Sequence, residues 1–194
     1  MKEHILKTLN ESISVKQSSV EKNAATLIRA AETMAGSLTA FHKILIFGNG
    51  GSAADAQHIA AEFVNRFQIE RPPLAALALT TDSSILTSIG NDYHFDDIFE
   101  KQVAALGNPG DIAWGISTSG NSKNVVKALT RARERGMITL AMCGKGGKVS
   151  EISDMTLTVD STVTARIQET HSIYGHMLCD LVDRILFPAQ FSNT

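Results

Sequence analysis

The stretch Lys43-Ile44-Leu45-Ile46-Phe47-Gly48-Asn49-Gly50-Gly51-Ser52-Ala53-Ala54-Asp55 decides the fold of this chain. An apolar run of strand length, Lys43–Phe47, passes straight into a glycine turn, and a helix pattern opens at Ser52. Such a run has no polar face to offer water, so it belongs inside a sheet covered on both sides. Four similar runs follow: Leu74–Leu79, Asp111–Ile116, Met137–Met142 and Met155–Val159, each bounded by Gly, Pro, Asp or Ser. Helix-patterned segments lie between them: Ser52–Phe67, Ser83–Gly90 with Phe95–Leu106, Ser122–Arg135, and a short one near Lys148–Ile152. Strands that alternate with helices predict a parallel sheet with helices on both faces.

Further helices flank this unit. Ile5, Leu9 and Ile13 recur every four residues, and a second helix carries Leu27, Ala31, Met34 and Leu38. Thr164 is the expected N-cap of a long helix from Ala165 to about Leu186, stopped by Pro188. Amphipathic helices outside a complete α/β core either dimerise or pack on their own subunit. With no repeat, low-complexity tract or linker, the chain reads as a single domain over residues 1–194. Its parts are N-terminal helices at 1–41, an α/β core at 42–160 and a C-terminal helix at 164–188.

Composition narrows the function. Among 194 residues, 18 Lys+Arg against 20 Asp+Glu give a formal charge of -2, which lacks the basic footprint of a nucleic-acid binder. No segment approaches the ~20 apolar residues that span a bilayer, and the charged start Met1-Lys2-Glu3-His4 leads into no signal-like apolar region. Cys143 and Cys179 form no CxxC pair and sit among apolar residues, as reduced core thiols of a cytoplasmic protein do.

Two turns suit an anion. The first, Gly48-Asn49-Gly50-Gly51-Ser52, brings backbone N–H groups to the positive end of a helix. It fits a loose dinucleotide pattern through Gly48, Gly50 and Ala53. The acidic residue needed to hold a ribose is missing, because the chain reads Ala78-Leu79-Thr80-Thr81 where it is due and Asp82 lies too far along. The second turn is Ser117-Thr118-Ser119-Gly120-Asn121-Ser122. Capping by Ser119 or Ser122 alone explains one hydroxyl, whereas four hydroxyls can wrap several phosphate oxygens. No P-loop lysine is present, since Lys123 comes after the helix has begun, so a sugar phosphomonoester fits better than a nucleoside triphosphate.

His58 and Glu62, at i and i+4, share one helix face. In the C-terminal helix Gln168 and His176 lie two turns apart, with His171 near the same stripe. Singly these are a surface histidine, a solvated carboxylate and an amide at a helix start. Together, two imidazoles, a carboxylate and an amide oxygen could hold Zn2+ or a related divalent ion. Beside a phosphate pocket, a Glu base and a His proton carrier suit aldose–ketose isomerisation through an enediol.

Gly48-Asn49-Gly50-Gly51-Ser52, Gly90-Asn91-Asp92, Gly115-Ile116-Ser117-Thr118-Ser119-Gly120-Asn121-Ser122 and Arg166-Ile167-Gln168-Glu169, in this order, resemble the sugar isomerase (SIS) domain family, and within it the phosphoheptose isomerases. The resemblance covers nearly the whole chain, including Leu178-Cys179-Asp180-Leu181. It implies a three-layer αβα sandwich with a five-stranded parallel sheet in flavodoxin-like order and flanking terminal helices. It also implies conversion of sedoheptulose 7-phosphate to D-glycero-D-manno-heptose 7-phosphate, the first step of ADP-heptose synthesis for the lipopolysaccharide core. Zinc, one ion per subunit, falls on His58, Glu62, Gln168 and His176, with Glu62 as catalytic base and His176 as general acid. Asn49, Gly50, Gly51, Ser52, Asn91, Asp92, Ser117, Thr118, Ser119, Ser122 and Gln168 match substrate-contacting positions. Family members are homotetramers with active sites at subunit interfaces.

A second branch of the family, tetramers that bind the replication initiator DnaA, resembles the chain around Asn65-Arg66-Phe67 and Leu186-Phe187-Pro188. That branch lacks the carboxylate and imidazole at the positions of Glu62 and His176, and this chain has both. Sugar-phosphate-sensing regulators of the same fold add a DNA-binding domain, for which the chain has neither room nor basic patch. Some isomerases carry Asp where this sequence has Ala165, and His94 is a local variation that suits a surface position.

Overall fold

A computed structural model describes residues 1–191. Its elements are α1 (Lys2–Thr39), β1 (Ile44–Gly48), α2 (Gly51–Val64), β2 (Ala76–Ala78), α3 (Ser83–Asp92), α4 (Ile98–Leu106), β3 (Ile112–Ser117), α5 (Lys123–Glu134), β4 (Ile138–Cys143), α6 (Lys148–Ile152), β5 (Met155–Thr158) and α7 (Thr164–Leu186). The five strands form one parallel sheet in the order β2-β1-β3-β4-β5. That is the flavodoxin-like order, with helices on both faces.

Alternation along the strands sorts the core into two halves. Ile44, Ile46, Ile112, Trp114, Ile116, Leu140 and Met142 face α1, α2 and α7, while Leu45, Phe47, Ala113, Ala141 and Cys143 face α4 and α5. Every residue of β1 and β3 is buried, as continuous apolar runs require. β2 is only three residues long and lies at the edge, where the preceding Pro72-Pro73 costs the sheet no internal hydrogen bond.

The terminal helices differ from expectation in two respects. One continuous helix of 38 residues replaces the two expected within 1–41. Its buried stripe runs through Ser12, Ser19 and Asn23 before reaching Leu27, Ala31 and Met34. These small polar residues occupy core-facing positions where an apolar repeat was sought. Asn23 is satisfied there: its amide donates to the Tyr174 hydroxyl (3.0 Å) and to the Thr158 carbonyl (2.9 Å), and its oxygen accepts from the Thr158 N–H (3.1 Å). Ile5, Leu9 and Ile13 face outward and are at least half exposed. At the other end Thr164 is the first helical residue of α7 and not its cap; Val163 holds the cap position, with no side-chain cap bond.

His171 does not join a functional stripe. It is fully buried, and among the described residues neither ring nitrogen has a hydrogen-bond partner. Burial pushes its pKa down to about 4, outweighing an opposing contact with the Cys143 backbone that falls short of hydrogen-bond geometry. The unfolded chain therefore takes up a proton near pH 6.5 that the folded chain refuses, so stability falls as pH drops from 6.5 towards 4. Urea unfolding at one fixed protein concentration should show a loss between pH 7 and pH 5 that is about 2 kcal/mol larger in the native protein than in His171→Phe. Equal losses in the two proteins would place the imidazole elsewhere.

Candidate active site

The chain order makes β1 and β3 neighbours, although β2 intervenes in sequence. Their carboxyl ends meet, with Gly48 in register with Ile116, and the crevice where strand order reverses is where open α/β sheets bind ligands. The glycine turn and the serine turn leave from these two ends and lie side by side. The approach is tight: a Cβ on Gly48 would stand 2.8 Å from the Ile116 carbonyl oxygen. Asn49 in the first turn and Asn124 in α5 exchange amide hydrogen bonds of 2.9 and 2.8 Å, locking the turns together. Asn124 is buried, and the sequence reading missed it.

In the serine turn, Ser122 caps α5 by position but not by side chain. Ser117 donates its hydroxyl to Ser122 Oγ at 2.9 Å, and Ser119 Oγ accepts from the Asn121 N–H at 3.1 Å. Gly120, at φ +69°, lies so close to the next loop that a Cβ would stand 1.7 Å from the Gly146 carbonyl oxygen. The Thr118 carbonyl accepts from the Gly144 N–H and the Gly120 carbonyl from the Val149 N–H, so the loop after β4 buttresses the turn from below. Three serine hydroxyls are thereby gathered at the N-terminus of a twelve-residue helix. That arrangement can offer an anion neutral donors together with the helix dipole.

The other half of the site lies between α2 and α7. Both follow parallel strands and pack on the same sheet face, so they run in the same direction and meet residue by residue. A Cβ on Gly51 would stand 2.5 Å from Gln168 Nε2. One turn on, Ser172 donates to Asp55 Oδ1 at 3.0 Å. Next, Gly175 leaves room for Ile59, and the rings of His58 and His176 meet edge to face with centroids 5.1 Å apart. His58 Nε2 lies 3.0 Å from Glu62 Oε1, and Phe67 stacks on His176 at 5.4 Å. The structure thus gathers His58, Glu62 and His176, with Gln168 two turns back at the glycine turn. Among the described residues, no three His, Cys, Asp or Glu side chains are arranged as a ready metal cage. Two imidazoles and a carboxylate nonetheless sit on one patch, a donor chemistry that fits a borderline ion.

Asp55 and Ser172 were not singled out from sequence, because a carboxylate three residues before His58 carries no signature until α7 is in place. Burial pushes the Asp55 pKa up, against the hydrogen bond from Ser172 and the attraction of His58 and His176. Asn91 and Asp92 lie at the end of α3, where Asn91 donates to Asp92 at 2.8 Å, and Leu86 of α3 and Phe95 just beyond it line a pocket with Gly48, Asn49 and Gly50 of the glycine turn and Ala53. No hydrogen bond or ion pair among the described residues joins them to the turns or to α7. Asp82, excluded above as a ribose ligand, caps α3 by accepting from the Ile85 N–H at 2.9 Å.

An anion held by the serine turn should feel the loss of one donor. Titration with inorganic phosphate should show Ser119→Ala binding about tenfold more weakly, the loss of about 1–2 kcal/mol expected for one hydrogen bond to a charged group. An unchanged affinity would leave Ser119 the ordinary role of accepting from the Asn121 N–H.

Comparison with known proteins supports the same assignment. Residues 9–144 match the SIS domain. The phosphoheptose isomerase of Nitratidesulfovibrio vulgaris strain Hildenborough is 57% identical over 178 residues, covering 91% of this chain and 86% of that protein. The phosphoheptose isomerase of Aquifex aeolicus is 53% identical over 187 residues, 96% of this chain and 98% of its own. Among solved structures, the phosphoheptose isomerase of Neisseria gonorrhoeae superposes with a TM-score of 0.89 at 48% identity, covering 94% of this chain and 98% of that one. By its sheet order, its paired turns and these similarities, the chain belongs to the SIS domain family and, within it, to the phosphoheptose isomerases.

Proposed function

We propose that the protein converts sedoheptulose 7-phosphate to D-glycero-D-manno-heptose 7-phosphate. The observation that carries this reading is the pairing of an anion-binding serine turn with a carboxylate and an imidazole presented by two adjacent parallel helices. The phosphate enters the serine turn, which fixes the far end of the sugar. Glu62 takes a proton from C1 of the ketose while His176 gives one to the carbonyl oxygen on C2, producing an enediol. The O1 hydroxyl then gives its proton to His176, the C1 carbonyl forms and Glu62 returns the carbon-bound proton to C2. Asp55, through Ser172, steadies the stretch of α7 between Gln168 and His176. The absence of side chains at Gly48 and Gly51 lets the turn pack against the Ile116 carbonyl and the Gln168 amide.

Zinc belongs to this reading, with His58, Glu62, Gln168 and His176 as the residues that would hold it. When bound, the ion would supply a Lewis acid that polarises the substrate carbonyl. What supports it is the patch that His58, Glu62 and His176 form between α2 and α7, with Gln168 two turns back on α7. The same reading makes the protein a homotetramer with sites at subunit interfaces. What supports this is the outward face of α1, which carries Ile5, Leu6, Leu9 and Ile13 exposed. Cytoplasmic location and heptose supply for the lipopolysaccharide core complete the reading, supported by the free, buried thiols of Cys143 and Cys179 and by the relatives' activity. The DnaA-binding alternative is not favoured, since the identified relatives are isomerases and the Glu62/His176 pair is present.

The test is aldose formation from sedoheptulose 7-phosphate. Glu62→Gln should lose at least 100-fold in kcat, within the range general-base catalysis supplies, and leave the fold intact. Full activity in that variant would exclude Glu62 as the base. In a parallel arm, a chelator should abolish turnover and added Zn2+ restore it; turnover untouched by the chelator would remove zinc from the account.

A further inference from the structure

Arg71 lies outside every motif, in the loop between α2 and β2, yet its side chain is 1% exposed. Its guanidinium joins the two helices of the site. Nε donates to Asp183 Oδ1 on α7 at 2.8 Å, Nη2 to the Glu62 carbonyl at 2.8 Å, and Nη1 to the Phe63 carbonyl at 2.7 Å, with longer bonds to the Asn65 and Pro72 carbonyls. Asp183 is two turns beyond His176 and is 2% exposed.

This pairing is not the strongest one available. Arginine and carboxylate favour a fork of two parallel bonds. Here Asp183 receives one, and among the described residues its Oδ2 has no hydrogen-bond partner although buried. The nitrogen that would have closed the fork is spent on the backbone of Glu62. The Glu62 and Phe63 carbonyls belong to the last turn of α2, where helix carbonyls lack intrahelical donors and a cation is favoured. We propose that Arg71 is a positioning residue for the isomerisation: by bonding the main chain of Glu62 on one side and α7 on the other, it sets the separation of Glu62 and His176. It touches no reacting atom. The inference deepens the functional reading above and rests on it only for the identity of the reaction. Lysine cannot replace it, because an ammonium on a flexible stem does not reach three fixed acceptors in different directions.

Arg71→Lys keeps the charge opposite Asp183 and loses the simultaneous bonds to Asp183, Glu62 and Phe63. Crystals of the native protein and of this variant should show the Glu62 carboxylate displaced by about 1 Å relative to His176, with the sheet and both anion turns superposed. Kinetics should show kcat on the order of 100-fold lower, as a misplacement of that size implies, with KM for sedoheptulose 7-phosphate within about twofold. Superposed carboxylates with unchanged kcat would overturn the proposal, as would kcat, KM and melting temperature worsening together, which marks a purely structural role. Should the lysine variant not fold, Asp183→Asn, which keeps an acceptor for Nε, is judged by the same criteria with a loss in kcat of roughly tenfold. If the native protein fails to turn over sedoheptulose 7-phosphate, the functional reading falls alone, and the crystallographic comparison still decides the positioning role.

Discussion

Two helices that leave parallel strands and cover the same sheet face must run in the same direction, and the site depends on that constraint. α2 follows β1 and α7 follows β5, with the rest of the sheet between them in sequence. Their shared direction turns distant residues into rungs: Gly51 with Gln168, Asp55 with Ser172, Ile59 with Gly175, His58 with His176, and Arg71 with Asp183 beyond the end of α2. Antiparallel packing would carry His176 away from Glu62 as it brought Gln168 closer. Gly175 is the contact that allows close approach, since a Cβ there would stand 2.7 Å from an Ile59 methyl.

The anion end of the site follows from the same topology. The reversal of strand order places the β1 and β3 ends together, and the Asn49–Asn124 amide exchange couples them. Neutral hydroxyls and a helix N-terminus suit a monoester that must enter and leave, because they avoid burying a fixed cation that would need a partner after release. The serine turn is held in shape by its own bonds and by the loop after β4, so little ordering remains to be done when a ligand arrives.

Strands and turns were legible because their signals are local. β1 and β3 are apolar throughout, and a glycine or serine turn beside a strand end needs no distant partner to be recognised. The grouping of His58, Glu62 and His176 was legible through helical spacing and family resemblance together. What escaped was whatever depends on a distant partner. Ser19 and Asn23 look like a solvated interruption until Tyr174 and β5 pack against them, which is why one helix was read as two. Asp55, Asn124 and Arg71 each depend on a partner 75 or more positions away: Ser172, Asn49 and Asp183. His171 looked like part of a ligand stripe because spacing along a helix does not separate the face towards the site from the face towards the core.

The most direct measurement compares sedoheptulose 7-phosphate with unphosphorylated sedoheptulose as substrates, following aldose formation. A site that anchors the phosphate at the serine turn and performs proton transfer between α2 and α7 should give a kcat/KM at least 100-fold higher for the phosphorylated sugar, because binding energy from the remote group is spent on orienting the reacting carbons. Equal values for the two sugars, or no aldose from either, would contradict the account.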